Sequence, residues 1–135
     1  MPDALSPIPQ PKGSEKIALS EYESKMELQR FGVRVPFSEV VSSEEQLDRV
    51  VKEVSYPCVA KIESADILHK SDVGGVKLNL RSETELRAAY AEVLKNAEEK
   101  APEAKVNGVL IQPMLPKGVE VIVGVNIDPQ FGPMI

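Results

Sequence analysis

Tryptophan is absent from these 135 residues, histidine and cysteine occur once each, and aromatic residues make up 4% of the chain. A single Cys closes no intrachain disulfide. Cys58 also sits in an apolar stretch with no neighbour that would activate a thiol, so it reads as a packing residue in a reduced compartment. With so little His and Cys, metal binding through imidazole or thiolate ligands is disfavoured. No apolar run approaches the ~20 residues of a membrane span, and the N-terminus lacks a charged start followed by an apolar core. The expectation is a soluble cytoplasmic protein. Excess basic charge is missing too: the net charge is −5, which argues against a surface that coats nucleic acid, because that requires a positive field to displace counterions. The Walker A pattern G-x-x-x-x-G-K-[ST] is absent, so any phosphate loop is of another kind.

What is present suits one ordinary core: 42% of residues are hydrophobic and 27% charged, enough for one domain or part of one. Residues 1–18, MPDALSPIPQPKGSEKIA, hold four prolines and no apolar period, and read as a flexible Pro-rich tether. Three S-x-x-E patterns then mark helix starts. Ser20 with Glu23 opens a helix stopped by Gly32, and Ser42 with Glu45 opens one whose Leu47, Val50, Val51 and Val54 share a face. Ser82 with Glu85 opens a third, with Leu86, Tyr90, Val93, Leu94 and Ala97 inward and Pro102 past its end. Short strands are expected at Phe37 to Val41, Pro57 to Ile62 and Val76 to Leu80, where Val76, Leu78 and Leu80 alternate against Lys77 and Asn79. Two more are expected, at Gly108 to Gln112 and, longer, over the alternating valines from Val119 to Ile127. Strands and helices alternate up to Gln112 and strands follow one another afterwards, so a new subdomain is expected near Pro113. The chain stops inside an apolar stretch, FGPMI, which suggests truncation.

The stretch YPCVAKIESADILHKSDVGGVKLNL concentrates the polar chemistry. Lys61 closes an apolar strand, either as a snorkelling lysine or as a fixed charge beside a nucleotide phosphate. Gly74-Gly75 is a bare turn or a phosphate-covering loop. His69 is a surface hydrogen-bonding residue or, since neutral imidazole attacks phosphorus, a phosphoryl acceptor with Lys70 and Ser71 beside it. Glu120 interrupts a valine-rich strand, and its periodicity favours a solvent-facing position.

These motifs, with LSEYESK, GVRVP, GVLIQPMLPKGVEVIVGV and DPQFGPMI, resemble the nucleotide-binding part of the ATP-grasp domain of ADP-forming (NDP-forming) acyl-CoA synthetases, over about Leu19 to Ile135. The resemblance implies an α/β fold, the N-terminal part of an ATP-grasp fold. Its mixed sheet is flanked by helices over 19–112, with the hinge and first strands of a truncated second α+β subdomain over 113–135. It implies that Gln112, Pro113, Met114 and Leu115 form the hinge that holds adenine through backbone. Lys61 would meet the nucleotide phosphates, Gly74 and Gly75 would belong to a flexible phosphate cover, and Glu120 would accept from the ribose hydroxyls, against its periodicity. His69 would be the phosphoryl carrier. The implied reaction is acyl-CoA + ADP + phosphate to carboxylic acid + ATP + CoA. It would involve Mg²⁺, whose ligands are expected beyond residue 135 with none in this chain, and a CoA-binding ligase domain or alpha subunit carrying a second phosphohistidine. A regulatory, catalytically silent module of a protein lysine acetyltransferase is the alternative that resembles the same stretch.

Overall fold

The computed structural model describes residues 17–135. The expected tether therefore lies outside the described residues except for Ile17 and Ala18, which carry no regular structure. Helix α1 (Glu21–Arg30) starts as the sequence indicates: the Ser20 hydroxyl accepts from the Glu23 N–H, and the Glu23 carboxylate accepts from the Ser20 N–H. It ends on Gly32 at φ +82°, where the Gly32 and Val33 N–H groups donate to the carbonyls of Gln29 and Leu28.

Strand β1 (Glu39–Val41) leads into α2 (Glu44–Glu53), which is capped one residue later than expected. Ser43 accepts from the Gln46 N–H, while the Gln46 side chain accepts from the Ser42 N–H and hydroxyl. Two overlapping serine patterns compete here, and β1 pairing out to Val41 leaves Ser42 as the link and Ser43 as the cap. Strand β2 (Cys58–Glu63) runs one residue beyond the expected end, so Lys61 lies inside it. A one-turn 3₁₀ segment (Lys70–Val73) then leads to β3 (Val76–Leu80), α3 (Glu83–Lys100) and β4 (Gly108–Pro113).

The sheet order is β1-β4-β2-β3, and every pairing is antiparallel. The α/β class and flanking helices hold, but strand directions in this sheet are not mixed. The reason is topological. Helices α2 and α3 each carry the chain across one vacant slot, so β1 and β2 run parallel without touching, as do β3 and β4. Each slot is filled by an opposed strand of the other unit.

The core lies on one face, where α2 and α3 pack Leu47, Val50, Leu86 and Val93 against Val41, Cys58, Ala60, Ile62, Val109 and Ile111. Each of the Val, Leu and Ile side chains contributes about 1.5–3 kcal/mol by leaving water. Cys58 is fully buried, and burial pushes its thiol up to about 11, consistent with packing. The expected alternation in β3 breaks at Leu78, which is largely exposed. Cys58 opposes Leu80 but Ala60 opposes Lys77, so β3 carries an extra residue at a bulge, with Asn79 at φ +57°. A bulge turns the following side chain to the other face, which periodicity alone does not register.

Gly108 starts β4 at φ +146°, and a Cβ built there would overlap the Val41 carbonyl oxygen. Gly108→Ala should lower stability by about 2 kcal/mol through strain and the β1–β4 clash. A denaturant midpoint equal to that of the wild type would show that the two strands accommodate the methyl group.

Beyond Pro113 the expected long strand does not form. Residues 114–125 carry no regular structure, and β5 (Asn126–Asp128) takes only the end of the valine run. It pairs with β6 (Gly132–Met134) through a turn in which Asp128 Oδ1 accepts from the Gln130 and Phe131 N–H groups. Alternating valines specify a face to be buried, but no described strand lies alongside to receive it. Val119, Val121 and Val123 remain 92%, 74% and 74% exposed.

A candidate phosphate-binding face

The face of the sheet opposite α2 and α3 mixes buried apolar residues, Val59 and Leu110, with polar ones. Successive residues of β2 point to opposite sides, so Cys58, Ala60 and Ile62 enter the core while Lys61 and Glu63 turn towards α1. Gln112 of β4, paired opposite Val59, joins the same face. Helix α1 has no fully buried residue and makes polar contacts to this face. The Tyr22 N–H donates to Glu63 Oε1 at 3.2 Å, and Lys25 Nζ donates to Gln112 Oε1. Glu63 is 1% exposed, and its second oxygen, Oε2, is buried without a hydrogen-bond partner among the described residues.

Lys61 Nζ lies 3.3 Å from Glu21 Oε1, Lys70 Nζ lies 3.2 Å from the same oxygen, and Lys25 Nζ lies 2.9 Å from Glu21 Oε2. Burial by itself raises the Glu21 carboxyl. The hydrogen bond from Lys25 and the charges of Lys61, Lys70 and Lys25 together outweigh burial and bring it down to about 2. Lys61 is therefore no snorkelling strand terminus but one of three ammonium groups held at a single carboxylate.

His69 is exposed and immediately precedes Lys70, at the start of the 3₁₀ turn, where its carbonyl accepts from the Asp72 N–H. In the chain the residue thus adjoins the cationic cluster, through Lys70. The glycine pair has a packing role of its own. Gly74 is at φ +66° and its carbonyl accepts from Asn96 Nδ2 at 3.0 Å, while a Cβ on Gly75 would meet Ile62 at 2.7 Å and the Lys70 carbonyl at 2.9 Å. The Gly75 N–H donates to the Lys70 carbonyl, and the Gly75 carbonyl accepts from Ile62, so the turn that carries His69 and Lys70 is clamped to β2.

At the expected hinge, Gln112 is buried, Pro113 ends β4, and the Met114 N–H donates to the Pro57 carbonyl; Met114 and Leu115 are exposed. Glu120 is exposed and makes no hydrogen bond or ion pair among the described residues, so its contacts do not tie it to the lysine face. Among the described residues no group of three or more His, Cys, Asp or Glu is placed to hold a metal ion. No described helix is long and apolar enough to cross a membrane.

Glu21, Lys25 and Asn96 were not singled out by sequence reasoning. The first two belong to the quoted motif LSEYESK, but nothing local tells that Glu21 faces lysines 40 and 49 residues away.

Residues 12–135 match the family described as the ATP-grasp domain. The beta subunit of acetate–CoA ligase [ADP-forming] I from Pyrococcus furiosus is 44% identical over 122 residues, which are 90% of this chain and 53% of that protein. The chain is also similar to the dinucleotide-forming acetyl-coenzyme A synthetase 1 of Ca. Korarchaeum cryptofilum. A complex of that enzyme with coenzyme A and Ca-AMPCP has TM-score 0.81 and 44% identity, covering 87% of this chain and 52% of the other. A second complex, with coenzyme A and Mg-AMPPCP and its phosphohistidine segment pointing towards the nucleotide binding site, has TM-score 0.67 and 41% identity over 87% of this chain and 48% of the other. The chain thus spans about half the length of the beta subunit and of the solved synthetase chain.

Proposed function

The chain belongs to the ATP-grasp family, and we propose that it supplies one wall of the nucleotide cleft of an ADP-forming acyl-CoA synthetase. The observation that carries this reading is the convergence of Lys61 and Lys70 on one face next to an exposed histidine. Fixed positive charge in a half-buried setting binds phosphate and stabilises the charge of a phosphoryl group in transit. The similarity to synthetases solved with AMPCP and AMPPCP supports a nucleotide as the ligand, and the Mg-AMPPCP complex supports a divalent metal accompanying it.

In this reading His69 takes a phosphoryl group from a phosphohistidine on a CoA-binding ligase domain or alpha subunit. One P–N bond breaks at the donor and one forms at His69. The new bond then breaks as a β-phosphate oxygen of ADP attacks phosphorus, giving ATP and returning the imidazole. The overall change is acyl-CoA + ADP + phosphate to carboxylic acid + ATP + CoA. The metal neutralises phosphate charge when bound, and its ligands are proposed to lie beyond residue 135. Residues 19–112 form the first subdomain and 113–135 the hinge and start of the second. Gln112, Pro113, Met114 and Leu115 hold adenine, Gly74 and Gly75 position the phosphate-side turn, and Glu120 reaches the ribose. No structural observation favours a regulatory module of an acetyltransferase, and the relatives above carry ligase and synthetase names.

In the complete protein that carries this chain, Lys61→Ala should weaken ADP binding about tenfold, the scale of one charge-assisted contact, and Glu120→Ala by a smaller factor. Calorimetry returning wild-type affinity in both variants would remove the site assignment.

A further inference from the structure

Three separate elements each send one lysine to Glu21: Lys25 from α1, Lys61 from β2 and Lys70 from the turn behind His69. Their side chains are 17%, 22% and 15% exposed, so none is fully solvated. Glu21 is the one carboxylate in ion-pair contact with all three ammonium groups; Glu63, on the same face, is engaged by the Tyr22 N–H instead, so the ammonium groups outnumber the carboxylates on this face. The two Glu21 oxygens are shared among three donors: Oε1 serves both Lys61 and Lys70, and Oε2 serves Lys25 with Lys61 at 3.4 Å. A site with more donors and charge than its occupant can satisfy is matched to a larger anion.

We propose that Lys25, Lys61 and Lys70 form one polyphosphate site whose resting occupant is Glu21, and that a diphosphate group binds by exchange for that carboxylate. Glu21 is the first residue of α1, so after displacement it still lies at the positive end of the helix dipole, and the exchange leaves no stranded charge. Lys25 also holds Gln112, which links the polyphosphate site to the far end of β4. Lys70 brings the bound anion next to His69. That the diphosphate belongs to a nucleotide rests on the function proposed above; the site itself accepts inorganic pyrophosphate by the same chemistry.

The test measures pyrophosphate and ADP binding, and their effect on the thermal midpoint, in the complete protein carrying this chain. Lys25→Ala and Lys70→Ala should each weaken pyrophosphate about tenfold and lower the salt dependence of binding. Glu21→Gln removes the competing carboxylate but keeps the side-chain shape, so pyrophosphate should bind several-fold tighter and raise the thermal midpoint more than in the wild type. Wild-type pyrophosphate affinity in both lysine variants overturns the proposal, as does weaker binding in Glu21→Gln once folding is confirmed. If Glu21→Gln does not fold, the lysine variants decide alone. Pyrophosphate binding that needs all three lysines, with no ADP binding, upholds this site and removes the nucleotide reading. ADP binding that needs Lys61 but neither Lys25 nor Lys70 does the reverse.

Discussion

With His69 as the proposed phosphoryl carrier, His69→Ala in the complete protein should abolish acyl-CoA-dependent ATP formation, with a loss of at least about 10³-fold, because the variant lacks the group on which the proposed covalent intermediate forms. The same variant should keep its thermal midpoint and its ADP affinity. His69 is exposed, and its side chain makes no hydrogen bond among the described residues, so truncation leaves no buried group unsatisfied. Incubation with labelled ATP and Mg²⁺ should give the wild type an acid-labile, base-stable phosphoprotein that the variant lacks. His69→Asn should fail in the same way, which separates loss of the nucleophile from loss of a polar side chain. Unchanged ATP synthesis in His69→Ala would rule out the carrier role.

That prediction rests on a loop legible in the sequence, whereas the lysine cluster behind it was not. Helix starts are written within four residues, and the patterns at Ser20 and Ser82 gave caps at the expected positions. At Ser42 and Ser43 the local code was degenerate, and strand pairing decided between two caps. Core faces of α2 and α3 followed from their period, because burial there depends on one helix face meeting one sheet. Leu78 failed the period for a different reason: a bulge is a property of two paired strands, and only one was being read. The valine run from Val119 to Val125 failed for the same reason, since alternation names a face but supplies no partner strand. Lys61 was placed on a strand, yet its environment is set by Glu21 and Lys70, brought from 40 residues before it and nine after. Composition could suggest phosphate in this region, but only the crossing of α1 over β2 assembles the charges.

Glu21 makes that assembly sensitive to acid. Its carboxyl is held at about 2 against an ordinary 4.5, so the folded protein binds this proton less readily than the unfolded chain does. A depressed carboxyl contributes stability that is present above about pH 4.5 and is lost as pH falls through 2. The full interval corresponds to at most about 3 kcal/mol. Glu21 keeps 27% of its side chain in solvent, and screening there reduces the realised value to roughly 1–2 kcal/mol. Glu21→Gln cannot ionise, so the difference between wild-type and variant thermal midpoints should be largest above pH 5 and shrink towards pH 2. Subtracting the two curves cancels other carboxylates. At 0.5 M salt the difference should narrow, because the partly exposed pairs are screened. A difference that stays constant from pH 7 to pH 2 would show that Glu21 acts through packing rather than charge.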